Sequence, residues 1–418
     1  MIPGQRQSAH YNPNIWKFDF LQSLNSKYEE EGYYKSRAEK LKEVVKQLFV
    51  EALEVLSKLE LIDSLMKLGM SNLFEEEIRE ALDTIASMKN IENMCGVEED
   101  LLYATALYFR LFRQHGYEIS PDIFSGFMDE KGRCLSSTSK HTKIKGVIEL
   151  YEASHLGLEG ENILNCAHAL ELSTHWRVHW FEVKWHINMY ENDRDMNQIL
   201  FELAKLNFSM VQATLQNDLR DISRWWRNLG LIENLNFTRD RLVECFMCSV
   251  GLVFQPNLSR KWLTKVVVFI PVIDDIYDNY GSLEELQDFT NADDRWNSKG
   301  IDEHLPNGMK LSFQALYDTT NQIAYEIQKE KGWKSWGDFC KALFVEAKWY
   351  NKGYTPTLQE YLCNAWISSS SSVFVVHSFF SIMNEPTKEM GLLLDKNQDL
   401  VYNSSLIIRL CNDLATSV

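Results

Sequence analysis

The sequence has 418 residues, of which 45% are hydrophobic and 24% charged, a balance typical of a globular protein. A chain of this length predicts two domains. Acidic residues outnumber basic ones by 59 to 43, and no run of Lys and Arg is present, so nucleic acid is excluded as an expected partner. The longest apolar stretch, 266–272, is interrupted by Pro271, so no membrane span is expected.

The start of the sequence and the cysteines bear on location. Residues 1–14 lack the features of a secretory signal or a transit peptide, which favours the cytoplasm; a plastid location stays open if a transit peptide precedes this chain.

The eight cysteines are scattered, and only Cys245 and Cys248 are close in sequence. Because no second pair completes four ligands, free thiols are predicted rather than a zinc site.

The elements in chain order are predicted to be helices, since only 8 prolines and 19 glycines interrupt the chain. Apolar residues recur every three or four positions in 39–59, 75–86, 101–112, 197–215 and 311–327. These patterns predict an all-α fold with two helical domains, 1–204 and 205–418. The residues that suggest chemistry lie in the second domain.

An acidic cluster follows the apolar run at 266–272. Asp274 and Asp278 are four residues apart, so on a helix both carboxylates can approach the same hard cations. Like charges at this spacing repel by about 0.2–0.5 kcal/mol, and a purely structural helix gains nothing from them. The alternative is a solvated helix end.

Two further groups of polar residues flank this cluster in the sequence. Arg239 and Arg241 precede it, and their forked donors suit a diphosphate, although a surface ion pair is the alternative. Near the end of the sequence, Arg409, Asn412 and Thr416 share one helical face. The amide oxygen of Asn412 and the hydroxyl oxygen of Thr416 are ligands that could complete the coordination shell of a magnesium ion.

Together these motifs resemble those of plant class I terpene synthases. Residues 274–278 resemble the DDxxD motif, 239–241 the RxR element, and 412–416 the opening of the NSE/DTE motif. Further resemblance extends from residue 6 to the last residue and is greatest to the branch that makes acyclic monoterpenes and α-farnesene. It implies an N-terminal helical barrel without a catalytic role and a C-terminal barrel that holds the active site.

The resemblance also implies roles for individual residues. The implied magnesium ligands are Asp274, Asp278, Asn412 and Thr416, with Asp275 supporting them. The implied diphosphate-binding residues are Arg239, Arg241, Arg409, Asp274, Asp278 and Asn412. The expected protein is a monomeric, Mg²⁺-dependent lyase, with Mn²⁺ as a possible substitute, that ionises farnesyl or geranyl diphosphate. The expected product is mainly acyclic, such as α-farnesene, ocimene or linalool.

The sequence departs from the family pattern at several positions. Gln7 replaces the second arginine of a tandem pair, and Cys248 stands where cyclising relatives often have tryptophan; both favour an acyclic product. Segments 162–172 and 332–336 are interpreted as shortened joins. The glutamate that closes the NSE/DTE motif would fall at position 420, beyond Val418. A truncated, inactive terpene-synthase-like protein is therefore the alternative.

Three other features of the sequence bear on function. His175, His179, Glu182 and His186 share a helical stripe that could bind zinc, but the surrounding tryptophans favour scaffold. The serine run 368–372 is predicted to loosen a helix beside the pocket rather than to form a linker. A chain-elongating prenyltransferase would need a second aspartate-rich motif, and the sequence has none.

Overall fold

The structure is a computed structural model that describes residues 14–29, 31–88, 101–127, 142–158, 176–235, 237–253, 258–296, 304–322, 326–382 and 387–416. Every regular element in these ranges is helical, and no strand occurs among them. The prediction of an all-α protein is therefore confirmed. Residues 6 and 7, His175 and the segment 162–172 lie outside the described ranges.

The described helices fall in the order predicted by the apolar patterns. The first eight are α1 Phe18–Ser23, α2 Glu31–Glu51, α3 Val55–Lys67, α4 Glu75–Ala86, α5 Leu101–Gln114, α6 Thr142–Ser154, α7 His179–Tyr190 and α8 Gln198–Asn228. The next six are α9 Leu231–Asn234, α10 Leu242–Leu252, α11 Leu258–Val267, α12 Phe269–Asp275, α13 Leu283–Arg295 and α14 Asn307–Asn321. The last five are α15 Glu326–Lys352, α16 Leu358–Ser368, α17 Ser371–Ile382, α18 Lys388–Lys396 and α19 Gln398–Thr416.

The apolar stripe predicted over 39–59 is divided between two helices. Helix α2 ends at Glu51 and α3 begins at Val55, with Leu53 between them 89% exposed. No glycine or proline marks this break, and both helices bury an apolar face, so the periodicity runs through it. Residues 332–336 lie inside α15, and the interpretation that this join is shorter than in relatives stays a prediction. The sequence pattern alone did not indicate that a helix continues through this segment.

One compact unit comprises Lys27–Ala213. Helices α5 and α6 pack closely there, and a cluster of buried residues forms part of its core: Ala106, Phe109, Phe124, Leu150 and Ala153. Beside this cluster the buried Arg110 pairs with Asp63 at 2.6 Å and with Glu149. Burial opposes ionisation of Asp63, but the charges of Lys67 and Arg110 outweigh it and hold its pKa well below the usual range.

The second compact unit comprises Met1–Ser26 together with Thr214–Val418. Helix α15 packs against α13, α16 and α17 and carries Trp336, which is fully buried. The early segment is attached to α8 by Gln22 Nε2, which donates to Arg220 O at 3.1 Å and to Ser223 Oγ at 2.7 Å. The predicted boundary at 204/205 falls within α8, and the division into two functional domains stays a prediction.

The serine run lies at a break between two helices, whereas its place beside the pocket stays a prediction. Helix α16 ends at Ser368, α17 begins at Ser371, and Ser370 between them has a left-handed φ of 63°. The stretch Leu358–Ile382 is the one described stretch long and apolar enough for a membrane span by length and composition. It is interrupted at this serine break, and 44% of its most apolar window is buried in the protein.

Candidate active site

The acidic motif lies where α12 gives way to a wider helical turn. Residues Ile276–Tyr280 form a π-helical turn, closed by a hydrogen bond from Gly281 N to Ile276 O of 2.9 Å. Ile276 and Tyr277 are buried, and the Tyr277 hydroxyl shares a hydrogen bond of 2.8 Å with Thr290 Oγ1. These anchors direct Tyr277 inward and leave Asp278 on the accessible side of the turn.

The middle carboxylate of the motif joins it to the arginine loop. Asp275 is fully buried, and its Oδ2 accepts hydrogen bonds from Arg239 N at 2.7 Å and from Thr238 Oγ1 at 3.2 Å. Arg239 Nε lies 2.9 Å from Asp275 Oδ1, and Arg239 Nη2 donates to Asp274 Oδ2. Asp275 therefore fixes the loop that places the Arg239 guanidinium beside Asp274.

The two predicted arginines differ in their contacts. Arg241 precedes α10 and lies 3.6 Å from Glu244, three residues away, so this contact does not direct it to the aspartates. Between the two arginines, Asp240 accepts hydrogen bonds from Asn14 Nδ2 at 2.8 Å and from Trp226 Nε1 at 3.1 Å. These residues border a cavity of about 190 Å³. The arginine loop is thus connected to both α12 and the early segment.

Two carboxylates of the motif, Asp274 and Asp278, have raised pKa values. Burial raises the pKa of Asp274 despite the opposing charge of Arg239. Asp278 is exposed, yet partial desolvation by the surrounding protein, then the charges of Asp274 and Glu346, raise its pKa to about 7. A site that resists ionisation of its own carboxylates gains from a cation placed among them.

Glu346 is a member of this site that sequence analysis missed. It lies on α15, where its Oε1 accepts hydrogen bonds from Ser368 Oγ at 2.5 Å and Asn364 Nδ2 at 3.4 Å, both from α16. Arg409 Nη1 lies 3.8 Å from the same oxygen. A single glutamate within a long helix carries no local signal of a site. Only the packing of α15 against α16 reveals it.

Arg409 lies near the carboxylates of the site. It is half-buried on α19, Nε lies 2.9 Å from Asp413 Oδ1, and its charge reaches Asp274. Asn412 and Thr416 are exposed, and Thr416 Oγ1 donates to Asn412 O at 2.9 Å. The structure therefore brings Arg239, Asp274, Asp278 and Arg409 together, whereas metal binding by Asn412 and Thr416 stays a prediction.

The donor set fits a magnesium ion that also binds substrate oxygens. Among the described residues, no three His, Cys, Asp or Glu side chains already form a closed metal-binding group. Mg²⁺ keeps several waters and is commonly held by one or two carboxylates plus phosphate oxygens, rather than by an all-protein cage. Asp274 and Asp278, with raised pKa values and Glu346 nearby, suit this open arrangement.

The histidine stripe forms no comparable site in the described ranges. His179, Glu182 and His186 belong to no metal-binding group there, and Glu182 pairs with Arg177 at 3.2 Å. Burial lowers the pKa of His186 to about 4, so it is neutral near pH 7. Cys245 and Cys248 are free thiols, as predicted.

Profiles of known families match most of the chain. Residues 227–418 match "Terpene synthase family, metal binding domain", and residues 15–175 match "Terpene synthase, N-terminal domain". The first match contains every residue of the site described above except Asn14 and Trp226. The second match covers most of the unit Lys27–Ala213.

Individual relatives are similar along nearly the whole chain. An "Alpha-farnesene synthase" of Ricinus communis is 55% identical, covering 99% of this chain and 79% of that protein. An "(E,E)-alpha-farnesene synthase" of Malus domestica is 54% identical, covering 99% of this chain and 77% of that protein. Among solved structures, isoprene synthase of Populus x canescens, in complex with three Mg²⁺ ions and dimethylallyl-S-thiolodiphosphate, matches with a TM-score of 0.84. It is 41% identical, covering 97% of this chain and 81% of that chain.

Proposed function

Because this chain belongs to the terpene synthase family, whose members are lyases acting on prenyl diphosphates, we propose that it ionises farnesyl or geranyl diphosphate with Mg²⁺. The proposed products are diphosphate and a mainly acyclic terpene. The observation that carries this proposal is the meeting of Asp274, Asp278 and Glu346 with Arg239 and Arg409. Acidic and basic side chains lie close together there, as binding of a metal-bridged diphosphate would require.

The residues of the site have separable roles in this reaction. Magnesium, when bound, supplies positive charge that favours departure of the diphosphate from the allylic carbon. Asp274 and Asp278 would hold that metal, while Glu346 adds negative charge beside them. The guanidiniums of Arg239 and Arg409 would bind the departing diphosphate, since arginine offers forked donors and stays charged. Arg241, Asn412 and Thr416 are proposed as further contributors.

The arginine contacts suggest how the site is held before substrate arrives. Arg239 Nη2 pairs with Asp274, which places the guanidinium close to the carboxylate that would bind metal. If Asp274 held a cation, Arg239 would lose part of its contact with that carboxylate, and its guanidinium would then be able to donate to the diphosphate. Asp275 would keep the arginine in place during this exchange, because it binds the Arg239 backbone as well as its side chain.

The proposed product is acyclic, with α-farnesene from farnesyl diphosphate as the first candidate. Support comes from the 55% and 54% identity to two proteins named as α-farnesene synthases. Geranyl diphosphate would give ocimene, linalool or a related monoterpene. In both cases the allylic cation would lose a proton, or meet water in the case of linalool, without ring closure.

The test is to incubate the 418-residue protein with Mg²⁺ and each prenyl diphosphate separately, and to identify the volatile products. Asp274→Asn keeps the shape of the side chain but removes its charge, and we expect it to reduce turnover by at least a hundredfold. Asp395→Asn is the matched control, because Asp395 is an exposed aspartate whose partner is Lys331 at 2.6 Å. It should retain wild-type turnover.

Metal dependence is tested by removing divalent cations with a chelator and restoring Mg²⁺ or Mn²⁺. Restoration of product by Mg²⁺ supports the proposal. Folded wild-type protein that forms no volatile from either substrate would contradict it and favour the inactive relative. A wholly cyclic product would contradict the acyclic assignment alone.

A further inference from the structure

The contacts of Arg409 extend beyond its own helix. Arg409 Nε donates to the Tyr361 hydroxyl oxygen at 2.7 Å and lies 2.9 Å from Asp413 Oδ1. The Tyr361 hydroxyl in turn donates to Asp413 Oδ2. The Arg409 guanidinium carbon lies 5.3 Å from the centre of the Tyr361 ring. Arginine, tyrosine and aspartate thus form a closed set of contacts between α16 and α19.

We propose that Tyr361 is a positioning residue that, with Asp413, fixes the Arg409 guanidinium for binding the diphosphate. This inference rests on the proposed function, because it concerns the anion that Arg409 receives. Asp413 lies four residues from Arg409 on the same helix, so it holds the guanidinium against α19 but not relative to other helices. Tyr361 comes from a second helix and therefore fixes the guanidinium relative to the rest of the site.

The same face of α16 also places Glu346. Tyr361, Asn364 and Ser368 are spaced by three and four residues, which puts them on one side of the helix. Asn364 and Ser368 donate to Glu346 Oε1, while Tyr361 accepts from Arg409. One helix face therefore sets the positions of an acidic and a basic side chain that lie 3.8 Å apart. The spacing between these charges determines where a metal-bound diphosphate can sit.

The contacts of Arg409 Nε with Tyr361 and Asp413 leave the terminal nitrogens of the guanidinium to face the site. Nη1 extends toward Glu346, and the charge of Arg409 also acts on Asp274. An arginine with its Nε held by two partners loses little further rotamer freedom when it binds an anion, so its affinity for the anion increases. Without the Tyr361 hydroxyl, the Arg409 side chain would have to be ordered when the diphosphate binds, and the lost side-chain entropy would weaken binding.

The test compares Tyr361→Phe with the wild type and with Tyr354→Phe. Tyr354 is a matched control, because its hydroxyl also binds a carboxylate, that of Glu360 at 3.0 Å, but on the exposed surface. The probe is inorganic diphosphate with Mg²⁺, titrated calorimetrically into the 418-residue protein. We expect Tyr361→Phe to weaken diphosphate binding about tenfold and to raise KM for the prenyl diphosphate similarly. Tyr354→Phe should change neither by more than about twofold.

A double-mutant cycle separates positioning of Arg409 from a general structural role. In an Arg409→Met background, Tyr361→Phe should weaken diphosphate binding no further, because the residue it positions has been removed. Asp413→Asn provides a second route if Tyr361→Phe does not fold, and it should also weaken binding about tenfold. Unchanged diphosphate affinity in the folded single variant, or an equal loss in the Arg409→Met background, would overturn the inference.

These outcomes are distinct from failure of the proposed function. Wild-type protein that binds diphosphate with Mg²⁺ and loses affinity on Tyr361→Phe, but forms no terpene, supports the positioning role and contradicts the proposed activity. Terpene formation with an unchanged KM in Tyr361→Phe supports the activity and overturns only the positioning role. Absence of diphosphate binding in the wild type overturns both.

Discussion

Replacing His377 with phenylalanine should flatten the dependence of stability on pH below about 6.5. His377 lies on α17, fully buried against the rings of Trp262 and Trp336, whose centroids are 5.2 and 6.4 Å away. Neither ring nitrogen has a hydrogen-bond partner among the described residues. Burial lowers the pKa of His377 to about 3, whereas an unfolded histidine titrates near 6.5.

The sign and size of the effect follow from proton uptake. As pH falls below about 6.5, the unfolded state binds a proton that the folded state does not accept until about pH 3. The free energy of unfolding should therefore fall by roughly 1.4 kcal/mol per pH unit in this window, or about 2 kcal/mol between pH 6.5 and 5. For a unit of about 200 residues, this corresponds to a Tm decrease of about 4–8 °C.

The assay is thermal unfolding at pH 7.5 and pH 5.0, followed by intrinsic fluorescence. The wild type should lose about 4–8 °C more than His377→Phe between the two pH values, because all other titrating groups are shared. His304→Gln removes an exposed histidine of the same unit and should behave as the wild type. An equal loss of Tm in the wild type and His377→Phe would refute the account of a buried, neutral, unbonded histidine.

Three further perturbations test other contacts. Gly332→Ala should lower the free energy of unfolding, measured in urea, by about 1–3 kcal/mol, because a Cβ would lie 2.7 Å from His377 Cε1. An unchanged free energy of unfolding would show that the His377 ring moves aside readily. Arg110→Met leaves Asp63 and Glu149 without their shared cation and should lower the free energy of unfolding by about 3–5 kcal/mol. Arg37→Met, at a surface ion pair, should change it little, and equal effects of the two substitutions would contradict the importance of burial. Asp240→Asn should speed hydrogen exchange in residues 14–24 more than tenfold, with Asp395→Asn as control; unchanged exchange would show that other contacts hold this segment.

Much of the fold could be predicted because it depends on local patterns. Apolar spacing identified α4 and α5 with bounds within two residues, and sparse glycine and proline identified the all-helical class. The acidic motif could be found because aspartates four residues apart on a helix repel one another, so a purely structural helix gains nothing from that spacing. Arg239 could be found because two guanidiniums on either side of one residue suit a diphosphate. Each of these signals lies within a few residues of sequence.

The remaining features depend on contacts between distant parts of the chain. Asn14 and Asp240 are 226 residues apart, and nothing in either local sequence indicates that they share a hydrogen bond. Glu346 and Tyr361 lie in ordinary amphipathic helices, and only the packing of α15, α16 and α19 brings them to Arg409. Hydrophobic periodicity records which faces are buried, but not which helices bury them.

The π-helical turn has a consequence for the angular register of the aspartates. In a regular α-helix, a residue four positions onward is rotated about 40° past the first. A wider turn needs more residues for each revolution, so Asp278 falls more nearly in line with Asp274 along the helix axis. Removing one residue between the two aspartates would restore the narrower turn and leave them three positions apart, about 60° out of line on an α-helix. The angle between the two aspartates around the helix axis therefore depends on the number of residues in one turn, as well as on the identity of those residues.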